Sequence, residues 1–308
     1  MKKQIVTIAA LAMSLNMFAQ QWPVPNQEAK PGTRWWWLGS AVTENDLKWN
    51  LRQFADHGIG AIEITPIYGV QGNEKNNIPF LSPRYMDILK YVNAECKADG
   101  IEFDMATGTG WPFGGPWVPL DESASQMLII DTTVVGKKIK ALDLRPIEKK
   151  RKNTTLVGIY AFSEGKFLKI TTPLVEGTLT TKLPSKGTWR IIALYQKKGV
   201  MAVKRAAPGG AGLVIDHFDK QAVTNYLKHI EEAFEKTGTP YPHTFFNDSY
   251  EVSESDYTPT LFQEFYNRRG YSLEENFDKL VDGDTKVVAD YRETLGDMLL
   301  DNFTRTWT

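Results

Sequence analysis

The sequence holds a single cysteine, Cys96, so no intrachain disulfide can form and the core must hold the fold together. Nor is there an excess of positive charge. Lysines and arginines number 36 against 37 aspartates and glutamates, and a net charge of −1 argues against a nucleic-acid partner. The one basic run, Lys149-Lys150-Arg151-Lys152, reads as a solvated turn. Past the N-terminal segment, no apolar stretch is long enough to span a bilayer. Cys/His metal spacing, an EF-hand loop and a nucleophile elbow are all missing. The residues alone therefore point to no metal ligand.

What is present begins at the N-terminus. Lys2 and Lys3 precede an apolar stretch over residues 5–13, and Ala19 places a small residue before Gln20. This pattern predicts a signal peptide over residues 1–19 and a periplasmic or extracellular mature protein. A hydrophobic share of 42% is ample for a core, and Cys96 falls in helical phase with Tyr85, Leu89 and Val92 as a small core residue. Nine tryptophans and 12% aromatics suit a carbohydrate site, because the C–H faces of sugars stack on flat rings.

Residues 20–125 alternate strand and helix. Residues 34–38 read as a strand, Thr43 with Asp46 as a helix start, and Gly58 as its stop. Gly60-Ala61-Ile62-Glu63-Ile64 is a second strand. Ser82-Pro83 opens a helix that stops at Gly100, before a third strand over 101–106. Residues 126–205 change texture to β-branched alternation, with Ser163-Glu164-Gly165-Lys166 as a hairpin turn, and read as an all-β insert, a small sandwich on a barrel loop. The helical pattern resumes in 206–308, with Val223, Leu227, Ile230 and Phe234 on one face and a fourth strand over 243–247. The expected fold is α/β, a (β/α)8-type barrel with an all-β insert after its third strand. Four strands cannot close such a barrel, so either the chain stops before closure, the favoured reading, or the fold is an open sheet.

In a β/α barrel, reactive groups sit at the carboxyl ends of strands. That rule selects Trp36 and Trp37, Glu63, the loop bearing Trp111 and Trp117, and the stretch Asn247-Asp248-Ser249-Tyr250-Glu251. Glycoside hydrolysis needs two carboxyl groups, and Asp248 and Glu251 at a strand end suit one of those roles. They equally suit capping of a turn or of the next helix. Trp111 and Trp117 read either as the wall of a sugar pocket or as loop packing. Asp216 and His217, where the chain re-enters the barrel, are further candidates, or a satisfied structural pair; His57, His229 and His243 read as structural.

The segment Thr33-Arg34-Trp35-Trp36-Trp37-Leu38-Gly39-Ser40, followed by a helix and Gly60-Ala61-Ile62-Glu63-Ile64, resembles the opening of glycoside hydrolase family 106, the α-L-rhamnosidases. ATGTGWPFGGPW, NDSYEV and FYNRRGYSL resemble further motifs of that family, in order. The resemblance implies an inverting, calcium-assisted exo-hydrolase that removes terminal α-L-rhamnose from plant cell-wall or related oligo- and polysaccharides. It implies Glu251 as general acid. Family members run several hundred residues longer, so the second glutamate and the calcium ligands are expected beyond Thr308, and this chain is expected to be inactive alone. A glycan-binding protein without catalysis, or a related barrel hydrolase acting on another sugar, are the other readings.

Overall fold

The computed structural model describes residues 25–247 and 250–308, and the expected signal segment over 1–19 lies outside them. β1 (Gly32–Leu38), α1 (Glu44–Asp56), β2 (Ala61–Ile67), α2 (Pro83–Asp99) and β3 (Glu102–Ala106) follow one another as alternating strand and helix. The helix ends are where the caps predict them. Thr43 accepts the Asp46 amide, Ser82 accepts the Tyr85 amide, and Gly100 closes α2 in the left-handed conformation that only glycine adopts freely. Cys96 is buried on α2.

After the short β4 (Gly114–Gly115) come six antiparallel strands: β5 (Ser125–Val135), β6 (Lys138–Asp143), β7 (Thr154–Ser163), β8 (Lys166–Ile170), β9 (Thr178–Lys182) and β10 (Thr188–Lys198). β7 and β8 form the expected hairpin, with Glu164 and Gly165 both at positive φ, as a two-residue turn requires. The chain returns through β11 (Leu213–Val214), α3 (Lys220–Thr237) and β12 (Thr244–Phe246). It continues with α4 (Leu261–Arg269), α5 (Phe277–Asp282) and α6 (Thr285–Met298), and the last helix runs on through a π-helical stretch, Leu299–Thr304, to Arg305–Trp307.

One parallel sheet has the order β1-β2-β3-β12. Its register sets Arg34 opposite Glu63, Glu63 opposite Asp104, and Asp104 opposite Thr244, so a polar row crosses one face. The intervening residues Trp35, Ile64, Met105 and Phe245 face the helices and pack in the main core. Among the described residues this sheet is open, with β1 and β12 as its edges, and no closed barrel is formed.

The antiparallel strands make a sheet ordered β5-β10-β7-β8, covered on one face by the β6-β9 pair. Ile159, Ala161, Ile191 and Ala193 pack between these layers, whereas Tyr160, Phe162, Ile192 and Leu194 pack on Leu261, Phe265, Phe277 and Met298 of the last helices. The larger sheet is thus buried on both faces, as its unbroken apolar run over 191–195 reflects. The β-rich segment therefore shares a core with the C-terminal helices and does not perch on a loop.

Candidate active site at the carboxyl ends of the parallel strands

A cleft opens over the polar face of the parallel sheet, lined by Arg34 of β1, Glu63 and Thr65 of β2, Trp111 and Phe113 of the loop after β3, and Phe246 at the end of β12. It holds about 360 Å³ of empty space, including the part open to solvent. Charged side chains at the centre of parallel strands are unusual, because such strands are normally apolar throughout. Here the Arg34 guanidinium lies 3.3 Å from the Glu63 carboxylate through Nε, and its Nη2 donates to the other oxygen at 3.4 Å. Thr65 Oγ1 donates to Glu63 at 2.8 Å. The guanidinium also lies over the Phe246 ring at 4.8 Å and the Trp36 ring at 5.5 Å. Glu63 is thereby held in one orientation by two donors, with aromatic surface beside it.

Trp111 is placed by the backbone. Its amide donates to the Lys204 carbonyl at 3.0 Å and its carbonyl accepts the Lys204 amide at 2.7 Å, so the returning chain clamps the loop. Gly110 allows this approach, since a Cβ there would meet the Lys204 carbonyl oxygen at 2.2 Å. Trp36 and Trp111 lie 5.6 Å apart at 52°, and Trp36 is 43% exposed.

Two expected aromatic contacts lie elsewhere. Trp37, one residue along β1, has the opposite parity; it is buried in the helix-side core against Tyr85. Trp117 stacks on His229 at 4.3 Å and on Phe80 at 6.2 Å, half-buried against the same core. Neither lines the cleft.

Asp216 and His217 are buried at the start of α3. Burial pushes Asp216 up to about 7, with the Thr258 hydroxyl and the Phe218 amide opposing. Burial pushes His217 down to about 3. The imidazole meets Tyr250 edge-on at 5.0 Å and Phe303 at 4.7 Å, which joins this pair to the NDSYE stretch and not to the cleft. The chain is tied down a few residues further on. Asp256 accepts the Met127 amide at 2.6 Å, Ser125 donates to the Tyr257 carbonyl at 2.7 Å, and Tyr291 donates to the Asp256 carbonyl at 2.6 Å. The first residues of β5 thus hold the chain at Asp256 and Tyr257, shortly after Glu251. Glu251 itself is exposed, the cleft lining reaches Asn247, and Asp248 lies outside the described residues.

The profile of the glycoside hydrolase 106 family, described as alpha-L-rhamnosidase, matches residues 23–156 and 161–308. The chain belongs to this family. A protein of Formosa agariphila named "Putative beta-glucuronidase" is 25% identical over 332 aligned residues, covering 91% of this chain and 28% of that protein. The solved rhamnosidase from Novosphingobium sp. PP1Y superposes with a TM-score of 0.67 at 15% identity, over 92% of this chain and 45% of its own. The chain therefore spans less than half the length of either relative.

Arg34 and Phe246 are the lining residues that sequence reasoning missed. The signal for Arg34 was an arginine inside an aromatic strand, matched in parity with Glu63 on the next. Among the described residues no three Asp, Glu, His or Cys side chains gather to hold a metal, so the calcium implied for the family finds no ligand set there.

Proposed function

We propose that this chain forms the sugar-binding floor of an exported glycoside hydrolase that removes terminal α-L-rhamnose from oligo- or polysaccharides with inversion. In this reading the four parallel strands are part of a β/α barrel, and their carboxyl ends face the substrate. One observation carries it: the cleft joins a doubly held carboxylate, Glu63, to an aromatic wall of Trp111, Phe113 and Phe246, with Trp36 beside Trp111. A carboxylate and a guanidinium side by side present acceptors and donors to neighbouring sugar hydroxyls, and the rings take the C–H face.

Glu251 is the proposed general acid. It protonates the leaving oxygen while water attacks from the opposite side of the ring. The chain shortly after it is held by β5 and α6, which supports an accurate placement once a glycan covers it. A uronate-bearing sugar is the second reading, favoured by the name of the Formosa relative and by Arg34 in the cleft.

The test uses the complete gene product carrying Glu251→Gln. A general acid contributes about a hundredfold to ten-thousandfold, and most when the leaving group is poor. Cleavage of a rhamnoside with a sugar leaving group should fall by that order, while an activated aryl rhamnoside is cleaved nearly as before. Equal loss on both substrates would remove Glu251 from the acid role. Binding of rhamnosides without any turnover by the unaltered protein would favour a lectin-like role, and preference for an aryl glucuronide would favour the second reading.

A further inference from the structure

The near-zero net charge conceals a steep division. Residues 126–205 carry 17 lysines and arginines against 5 aspartates and glutamates, leaving 19 against 32 in the rest of the chain. Some of these cations are spent on ion pairs: Arg145 with Asp143, Lys169 with Glu274, Arg190 with Asp131, and Lys198 with Asp121. Lys137, Lys138, Lys140, Lys182 and Lys186 are exposed, and none has an acidic partner among the described residues.

Lys138, Lys140 and Lys182 share the outer face of the β6-β9 pair, and Lys137 and Lys186 lie in the turns beside it. Lys138 of β6 stands directly opposite Lys182 of β9 in the register. Lys140 is next on the same face, and its carbonyl accepts the Thr180 hydroxyl at 2.7 Å. The turns carrying Lys137 and Lys186 are tied together: the Leu183 amide donates to the Lys137 carbonyl at 2.8 Å, and the Gly136 amide to the Gly187 carbonyl at 2.9 Å. The opposite face of β6-β9 packs on the larger sheet through Ile139 and Leu179, so the lysine face is the outermost layer of this part of the molecule. Like charges directly opposite across two strands, with Cβ atoms about 5 Å apart, destabilise a sheet. A counter-charge from outside the chain removes that cost.

We propose that the outer face of β6-β9 binds an acidic polysaccharide, one bearing carboxylate or sulfate groups, and holds the hydrolase on a polymeric substrate. The inference rests on the reading of this chain as glycan-active. Single-stranded nucleic acid is the less suitable polyanion. It needs exposed rings for base stacking, and the five aromatic residues over 126–199 (Tyr160, Phe162, Phe167, Trp189 and Tyr195) are buried or half-buried.

The test is gel retardation of the complete gene product by polygalacturonate and by dextran sulfate, with neutral dextran as control. Retardation by at least one of the anionic polymers, absent with dextran and lost at about 0.5 M salt, is expected for a contact made by exposed charge. The variant K137Q/K138Q/K182Q/K186Q should bind about tenfold more weakly. It should melt no lower than the parent, because the opposed lysines are gone, and cleave a small aryl rhamnoside at the parent rate. No retardation by either polymer, unchanged retardation of the variant, or tighter binding to duplex DNA or to anionic phospholipid vesicles would overturn the proposal. Loss of the hydrolase reading shows up separately, as retardation without turnover of the aryl rhamnoside.

Discussion

At Asp216 and His217 two adjacent side chains are buried with opposite consequences for pH. Asp216 is raised from its ordinary 3.8 to about 7, so between those values the folded chain holds a proton that the unfolded chain has released. Its contribution to stability is full below about 4 and is lost as pH rises through 7. His217 is lowered from 6.5 to about 3, so its contribution is present above 6.5 and lost as pH falls towards 3. The two slopes oppose each other between about pH 4 and 6.5. Asp216→Asn removes only the first. Relative to the parent, the variant should gain stability from pH 4.5 to pH 7, by up to roughly 1.4 kcal/mol per pH unit. Urea melts at the two pH values measure this, and an equal offset at both would refute the assignment.

Single-residue parity also separates what was legible at this scale from what was not. Trp36 and Trp37 are equivalent as sequence, yet one is 43% exposed beside the cleft and the other 1% exposed in the core. Which of them faces a ligand depends on which face the helices cover, and three aromatic residues in a row leave that open. Arg34 and Glu63 were both visible, but their contact depends on the register of two strands joined by a helix, which no local pattern specifies. Asp216 and His217 read from sequence as site candidates or a structural pair, and the His217 ring has Tyr250 and Phe303 as its neighbours.

Among elements, the caps and glycine stops placed α1 and α2 to within a residue or two, because those signals are chemical and local. β6 and β9 carry lysines and threonines on their outer face and gave little apolar alternation, and α5 is too short for a clear period. The larger consequence lies in β7 and β10. Their apolar residues alternate between two cores, one under β6-β9 and one against α4, α5 and α6. Removing residues 126–199 and joining the ends therefore exposes Leu261, Phe265, Phe277 and Met298. The excised protein should lose cooperative folding of its C-terminal helices, seen as a broadened thermal transition and a reduced helical signal. A sharp transition with the helical signal kept would show that the β-rich segment is independent after all. Ile192→Ala probes the same contact more gently and should cost about 2–5 kcal/mol.

On the scale of the molecule, a parallel sheet with one polar and one apolar face gives the chain a cleft side and a helical side. The β-rich segment is tied to the C-terminal part through Ser125 and Met127, which bond to Tyr257 and Asp256. The central claim is that the cleft over Arg34, Glu63 and Trp111 seats the sugar that is cleaved. A crystal structure of the complete gene product carrying Glu251→Gln, soaked with an aryl α-L-rhamnoside, tests it most directly. The account predicts a sugar ring in that cleft, its hydroxyls within hydrogen-bond reach of Glu63 and Arg34 and one face against Trp111. A ring bound elsewhere, with this cleft empty, would contradict it.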